Sequence, residues 1–343
     1  MGSIVGWDIG GVNIKAARLV ARASPHTVLE PFELQRAPAR LAPTLANVAS
    51  RVAAQPDDRH AVTMTAELSQ YFRTKREGVE FVLGALEAAL GGSNVHVFGS
   101  DGHFASADQA RANPLRVAAA NWAATAHLVA KTTGTCLLID IGSTTTDLIP
   151  IVGGQVVASG RTDPDRLASG ELVYTGAIRT PTEAVVHDVP FRGERAGVSA
   201  EGFATMGDVH LWLGSLSPED YTIPTPDGRP ATRAYAGERL ARVVCADRDM
   251  LTDADIDALA DELASAQTTR IAVAIRRVCM RHPQITEAVV AGLGDFVAGR
   301  AAGRAGLGQV RLADRLGEAA ARAAPAAAVA ILLHDSLMPG HSV

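Results

Sequence analysis

The sequence predicts an α/β protein of two domains, each organised around a β-hairpin whose turn is built from glycine and small polar residues. Three observations predict it. The first is a repeat. Trp7-Asp8-Ile9-Gly10-Gly11 returns as Ile139-Asp140-Ile141-Gly142-Ser143, with the aspartates 140 − 8 = 132 residues apart. A duplicated element is a fold-level signal. The second is a strand–glycine–helix junction late in the chain, Ala288-Val289-Val290-Ala291-Gly292-Leu293-Gly294. The third is composition: 343 residues, 47% hydrophobic and 20% charged, make a globular chain long enough to bury two cores.

The elements follow in order. Ser3 to Asp8 reads as a strand and Asn13 to Leu19 as its returning partner. Pro25 to Pro43 reads as loop and irregular strand, and Leu41 to Ala54 has helical spacing. Ala61 to Met64 is a buried strand, and Val79 to Leu90 a helix stopped by Gly91-Gly92. Val95 to Phe98 is a strand, and Asn113-Pro114 opens a helix through Lys131. Cys136 to Asp140, Thr145 to Val152 and Gln155 to Ala158 form the second hairpin and its extension. Gly160 to Pro230 is rich in loop formers. Helices are expected over Asp253 to Ala266 and Ala266 to Met280, then a strand over Glu287 to Ala291 and a final apolar segment at Val329 to Leu333. The expected division is 1–130 and 131–343, with the last helix free to return to the first domain.

Several function classes are set aside. Lys+Arg 32 against Asp+Glu 37 gives −5, a poor surface for bulk nucleic-acid binding. Cys136, Cys245 and Cys279 form no CxxC pair, so neither a disulfide framework nor structural zinc is indicated, and a reducing, cytoplasmic setting is expected. Met1 to Val12 reads as a strand rather than a signal peptide, and Ala323 to Leu333 is too short to span a bilayer. The expected partners are small molecules, with a homo-oligomer left open.

The repeated hairpin has a chemical use. Gly10, Gly11 and Gly142 let backbone amides approach an anion closely. Asn13 ends the first turn, and Ser143, Thr144 and Thr145 add polar donors in the second. Asp8 and Asp140 would hold Mg²⁺, and Lys15 would neutralise the anion. Two such hairpins facing across an interdomain cleft would clamp a polyphosphate. Gly292 and Gly294 would place an anion or nucleotide at a helix N-terminus. Glu67, just past a buried strand, is a catalytic base or Mg²⁺-water partner, or else a surface carboxylate or a loop-fixing hydrogen bonder.

These segments, in this order, resemble the actin/Hsp70/sugar-kinase superfamily. Further blocks resemble its hydantoinase/oxoprolinase-like branch: Met64 to Leu68 with Arg76 to Val79, Ala120-Asn121-Trp122, Gly170 to Gly176, Arg179-Thr180-Pro181 and Phe203 to Val209. Within that branch the chain resembles the tetrahydromethanopterin-linked C1-pathway group, which includes aryl-ether synthases of methanofuran biosynthesis. The resemblance implies a transferase. It would join the phenol oxygen of a (γ-glutamyl)tyramine- or tyrosine-type acceptor to an aminomethylfuran-methyl diphosphate, releasing pyrophosphate. Mg²⁺ is the implied cofactor; ATP is not expected to be consumed, and its binding is left open. Arg179 and Asp208 lie in the resembling blocks and are candidate substrate contacts, against a structural salt bridge. The rivals are an ATP-dependent small-molecule kinase or hydantoinase/oxoprolinase-like enzyme, and a non-enzymatic nucleotide-binding protein. ATP consumption separates them.

Overall fold

The computed structural model describes residues 3–20, 24–91 and 94–337. The first sheet holds β1 (Ile4–Ile9), β2 (Asn13–Leu19), β3 (His26–Pro31), β4 (Arg59–Met64), β5 (Val95–Phe98) and β6 (Phe104–Ser106), in the order β3-β2-β1-β4-β5-β6. Every residue of β1 is buried. A strand apolar on both faces belongs at a sheet centre. Its antiparallel register with β2 sets Asp8 opposite Lys15, and its parallel register with β4 sets Asp8 beside Thr63. Lys15, Asp8 and Thr63 therefore form one row on one face.

The later strands are β7 (Cys136–Ile141), β8 (Thr146–Val152), β9 (Gln155–Val156), β10 (Leu172–Val173), β11 (Asp188–Phe191), β12 (Glu194–Gly197), β13 (Glu287–Ala291) and β14 (Gly308–Arg311). The second sheet has the order β10-β8-β7-β13-β14, with β9 beside β8, while β11 and β12 pair separately. Both main sheets follow one plan. A hairpin sits at the centre, a further strand extends its outer edge, and later strands add on the other side, three in the first sheet and two in the second. The repeated hairpin expected from the sequence is thus the centre of each main sheet.

The chain divides into two compact units. One comprises Met1–Leu138, Ile149–Arg166 and Arg311–Val343; the other comprises Ile139–Leu148 and Leu167–Val310. The single cut expected at residue 130 is not how the chain divides. In the first unit β9 packs on the helix before β7, and the last helix packs on β1, β2 and β4.

The first unit carries α1 (Leu41–Arg51), α2 (Lys75–Leu90), the short α3 (Ala107–Ala112) and α4 (Pro114–Val117), and α5 (Asn121–Thr132). Thr74 caps α2 through the Glu77 N–H, so the helix starts four residues before the expected Val79. It ends at Gly91, left-handed at φ 80°; Gly92 lies outside the described residues. The expected single helix from Asn113 to Lys131 is two. The break spans Ala118 to Ala120, with Ala119 left-handed at φ 50°. The second core is built by α7 (Met206–Trp212), α8 (Arg233–Arg242) and α9 (Asp253–Arg281), after α6 (Asp163–Ser169). Here α9 runs unbroken for 29 residues where two helices were expected. Then come α10 (Asp295–Ala305), the short α11 (Ala313–Leu316) and α12 (Glu318–Arg322), and α13 (Ala324–Ser336). The backbone of α13 lies directly on β1: a Cβ at Gly6 would run into the Ala326 carbonyl, so only glycine fits there. Among the described residues no helix is long and apolar enough to cross a membrane.

Candidate active site

The first turn is closed by the Gly10 N–H donating to Asn13 O at 2.9 Å. The expected Gly10 amide is therefore spent inside the turn. The carbonyls of Gly11 and Val12 accept from Leu34 and Phe32 N–H, each at 3.0 Å. In a trans peptide the C=O and the following N–H point in opposite directions. Holding the Gly11 carbonyl inward turns the Val12 N–H outward. Beside this turn Asp8 is buried, and its Oδ2 lies 3.3 Å from Lys15 Nζ. Asp8 Oδ1 and Asn13 Oδ1 are buried with no hydrogen-bond partner among the described residues. Thr63 Oγ1, next to Asp8 in the sheet, is equally orphaned.

Glu67 lies at the same end of the first sheet, three residues beyond β4, where the Thr65 N–H donates to Ile9 O at 2.9 Å. It is only 2% exposed, which excludes the reading as a surface carboxylate. Oε1 accepts the Ala119 N–H at 2.8 Å, while Oε2 is buried without a partner among the described residues. The left-handed turn at Ala119 supplies that N–H. Burial pushes the Glu67 carboxyl up to about 8, opposed by its own and Ala119's backbone N–H and by Lys75. Lys75 Nζ pairs with Asp163 at 3.1 Å, and Asp163 adds to the upward push. Thr63 and the Lys75–Asp163 pair were not singled out in the sequence. Lys75 carries a readable signal: it is one of three lysines and is the first residue inside the Thr-x-x-Glu capping pattern of Thr74 and Glu77.

The second turn repeats the first. Gly142 N–H donates to Thr145 O at 3.0 Å, and this amide too is spent. The Gly142 carbonyl accepts from Ala177 at 2.9 Å; the Ser143 carbonyl accepts from Ile178 at 3.1 Å and Arg179 at 2.8 Å. By the same peptide geometry the N–H groups of Ser143 and Thr144 turn outward. The Ser143 and Thr144 hydroxyls lie 3.4 Å apart. Loop 176–179 sits flush on the turn: a Cβ at Gly176 would meet Thr144 N at 2.5 Å. Arg179 is exposed, and its backbone is fixed to the turn. Asp140, the next-to-last residue of β7, is half-buried against Gly292.

Two expectations change. The Gly294 N–H donates to Ile141 O at 2.8 Å, so it is not available to a nucleotide, and the next residue, Asp295, is an acid in the first turn of α10. Asp208 is fully buried and belongs to the scaffold. It caps α7 with Thr205, and its Oδ1 is 2.8 Å from Arg239 Nε and 2.7 Å from Nη2. Arg239 reaches on to Asp227 at 3.0 Å. Asp208 is thus the structural salt bridge, not the substrate contact. Among the described residues no three His, Cys, Asp or Glu side chains converge as a metal cage.

Comparison with known proteins places the chain. The hydantoinase/oxoprolinase family model matches residues 58–336. The chain is 35% identical over 336 residues to the curated (4-{4-[2-(gamma-L-glutamylamino)ethyl]phenoxymethyl}furan-2-yl)methanamine synthase of Methanocaldococcus jannaschii, covering 97% of this chain and 98% of that one. The synthase of the same name from Methanococcus vannielii is 32% identical over 206 residues, 59% of this chain and 92% of that one. Among solved structures, the ethanolamine utilization protein EutJ from Carboxydothermus hydrogenoformans superposes with a TM-score of 0.51 at 11% identity, covering 97% of this chain and 90% of that one. That likeness speaks to fold alone. With the family model spanning most of its length, the chain belongs to the hydantoinase/oxoprolinase family.

Proposed function

We propose that this protein is a methanofuran- or methylofuran-pathway synthase that makes an aryl ether from two small molecules. The observation that carries the reading is near-full-length identity to a synthase whose name describes a phenoxymethyl-furan amine. The donor in this reading is an aminomethylfuran-methyl diphosphate, and the acceptor a (γ-glutamyl)tyramine- or tyrosine-type phenol. The methylene–oxygen bond of the donor breaks, and pyrophosphate leaves with the electron pair. The phenol oxygen bonds to that methylene, and its proton passes to Glu67.

Each group has a task suited to its setting. Lys15, only 24% exposed, neutralises charge as it grows on the departing pyrophosphate. In the first turn the outward Val12 N–H is a donor for phosphate oxygens; the second turn, taken by itself, offers the Ser143 and Thr144 N–H groups and the exposed Arg179 to the same class of anion. Asp8 Oδ1, buried and orphaned, fits a cation shared with a diphosphate, because Mg²⁺ favours one or two carboxylates plus phosphate oxygens. Bound there, Mg²⁺ would lower the charge on the leaving group. Glu67 suits the acceptor side. A phenol has a pKa of about 10, some six units above an ordinary carboxylate. Glu67, pushed up to about 8, narrows that gap. Leu68 and Tyr71, exposed just after it, offer apolar surface for an aromatic ring.

The test is direct. The protein is incubated with Mg²⁺, the furan diphosphate and tyramine, γ-glutamyltyramine or tyrosine. The expected outcome is the ether by mass spectrometry with equimolar pyrophosphate and no ADP when ATP is added. Substrate-stimulated ADP release without ether would overturn the reading in favour of a kinase.

A further inference from the structure

Behind the second turn runs a buried polar chain that the proposed reaction does not touch. Gln267 of α9 is fully buried among Leu263, Ala264 and Ile271. Its amide nitrogen donates to Thr175 Oγ1 at 2.9 Å and to Gly176 O at 2.8 Å. A carbonyl oxygen only accepts, so Gly176 fixes which way the carboxamide faces. The Gln267 oxygen therefore faces His210 Nε2, 2.9 Å away, and that nitrogen must carry the proton. His210 Nδ1 is left bare, buried without a partner among the described residues. The ring meets Phe296 edge-on, centroids 4.9 Å apart. Burial pulls His210 down to about 4, so it stays neutral near pH 7.

The chain of bonds continues toward the turn. Thr180 Oγ1 accepts the Gly176 N–H at 2.9 Å and lies 3.1 Å from Thr175 Oγ1. The next three N–H groups, of residues 177–179, hold the Gly142 and Ser143 carbonyls. Gln267 thus sets the loop, the loop sets two peptide planes, and those planes aim two amides.

We propose that Gln267, locked by its hydrogen bond from His210, is a positioning residue that aims the Ser143 and Thr144 amides at a diphosphate-class anion. The inference rests on the phosphate-binding reading of the second turn. A carboxamide bonded at both ends is directional, whereas an apolar residue of the same size would fill the space without setting the loop's orientation.

Amide hydrogen exchange on the full chain, with and without inorganic pyrophosphate, tests it. In the wild type, pyrophosphate should protect the Ser143 and Thr144 amides. Gln267→Met should remove that protection and speed exchange at residues 177–179 about tenfold, the scale of one lost net hydrogen bond. Exchange in β13, residues 287–291, should stay unchanged. His210→Gln, which keeps a donor near the Nε2 position, should behave as wild type; His210→Leu should behave as Gln267→Met. Absence of protection at Ser143 and Thr144 in the wild type would sink the phosphate reading itself. Wild-type protection retained in Gln267→Met would overturn the positioning role alone. If Gln267→Met does not fold, the His210 pair decides, and identical behaviour of His210→Leu and His210→Gln overturns the proposal.

Discussion

The two turns have nearly the same hydrogen-bonded closure, yet they are held in different ways. In the first, Phe32 and Leu34 take the turn carbonyls while their side chains are anchored in the apolar core. In the second, the supporting loop is anchored by Gln267, Thr175 and Thr180. Hydrophobic anchoring is non-directional and sums over area; a hydrogen-bonded anchor fixes orientation and is costly to leave half-made. The charges differ as well. Lys15 stands opposite Asp8 in the first hairpin, and Asp147 occupies its place in the second, paired across to Leu172 of β10. Duplication has kept the backbone geometry and let the chemistry diverge.

The largest expected effect concerns the scaffolds behind the turns. Asp208→Asn leaves Arg239 with Asp227 as its remaining carboxylate and should cost about 3 kcal/mol in urea unfolding, the low end for a broken buried pair. Leu34→Ala, at a fully buried anchor of the first turn, should cost about 2–5 kcal/mol. Once folded at low temperature, Asp208→Asn should retain its KM values. A selective rise in one KM would restore Asp208 as a substrate contact.

Next come the strand-end carboxylates. Asp8→Asn and Asp140→Asn should each lower kcat/KM by on the order of 10²-fold, the scale of one strong electrostatic contact in a transition state. Near-normal turnover in one of them would assign the reaction to the other hairpin.

The asymmetry of charge gives a smaller effect. Lys15→Ala should lower kcat about tenfold or more while changing diphosphate affinity less, because its contact strengthens as the leaving group departs. Lys15→Arg should recover only part, since a planar guanidinium replaces a compact ammonium. An unchanged kcat in Lys15→Ala would reduce the Asp8–Lys15 pair to a surface contact.

The smallest effect is in pH. With Glu67 as base at about 8, kcat should rise about fivefold between pH 7 and 8 as the ionised fraction grows from roughly a tenth to a half. Glu67→Gln should be slow and flat across that range. Stability should show the opposite sign. The folded state holds this proton more tightly than the unfolded chain, so the contribution is complete below the ordinary value of 4.5 and is lost as pH rises through about 8. Glu67→Gln should therefore gain on the wild type in Tm as pH rises across that window. A wild-type pH profile identical to that of Glu67→Gln would remove Glu67 from proton transfer.

Both hairpins and the late strand were legible because alternation, a strand-end Asp and a glycine turn are local signals. The break before α5 was not. Ala118 to Ala120 reads as helix by propensity, and only a distant carboxylate, Glu67, makes use of the interruption. Asp208 looked like a ligand contact because its block resembles others in the family, while its partner Arg239 lies 31 residues further along. Gln267 had a readable signal: it is a polar residue in the buried stripe of Leu263, Ala264 and Ile271. His210, set among Val209, Leu211 and Trp212, had the same one. No glycine or proline interrupts Asp253 to Arg281, so no local signal supports the division expected at Ala266.

The seating of α13 on β1 has a consequence for how the protein is made. β1 leaves the ribosome 324 − 4 = 320 residues ahead of the helix that covers it. At roughly 5–20 residues per second, the sheet waits tens of seconds for its lid. During that interval the apolar face around Gly6 is open to solvent and to other nascent chains. Early translation termination near Arg311 should leave an aggregation-prone product, and holdase chaperones should engage the emerging N-terminal half more than the completed chain.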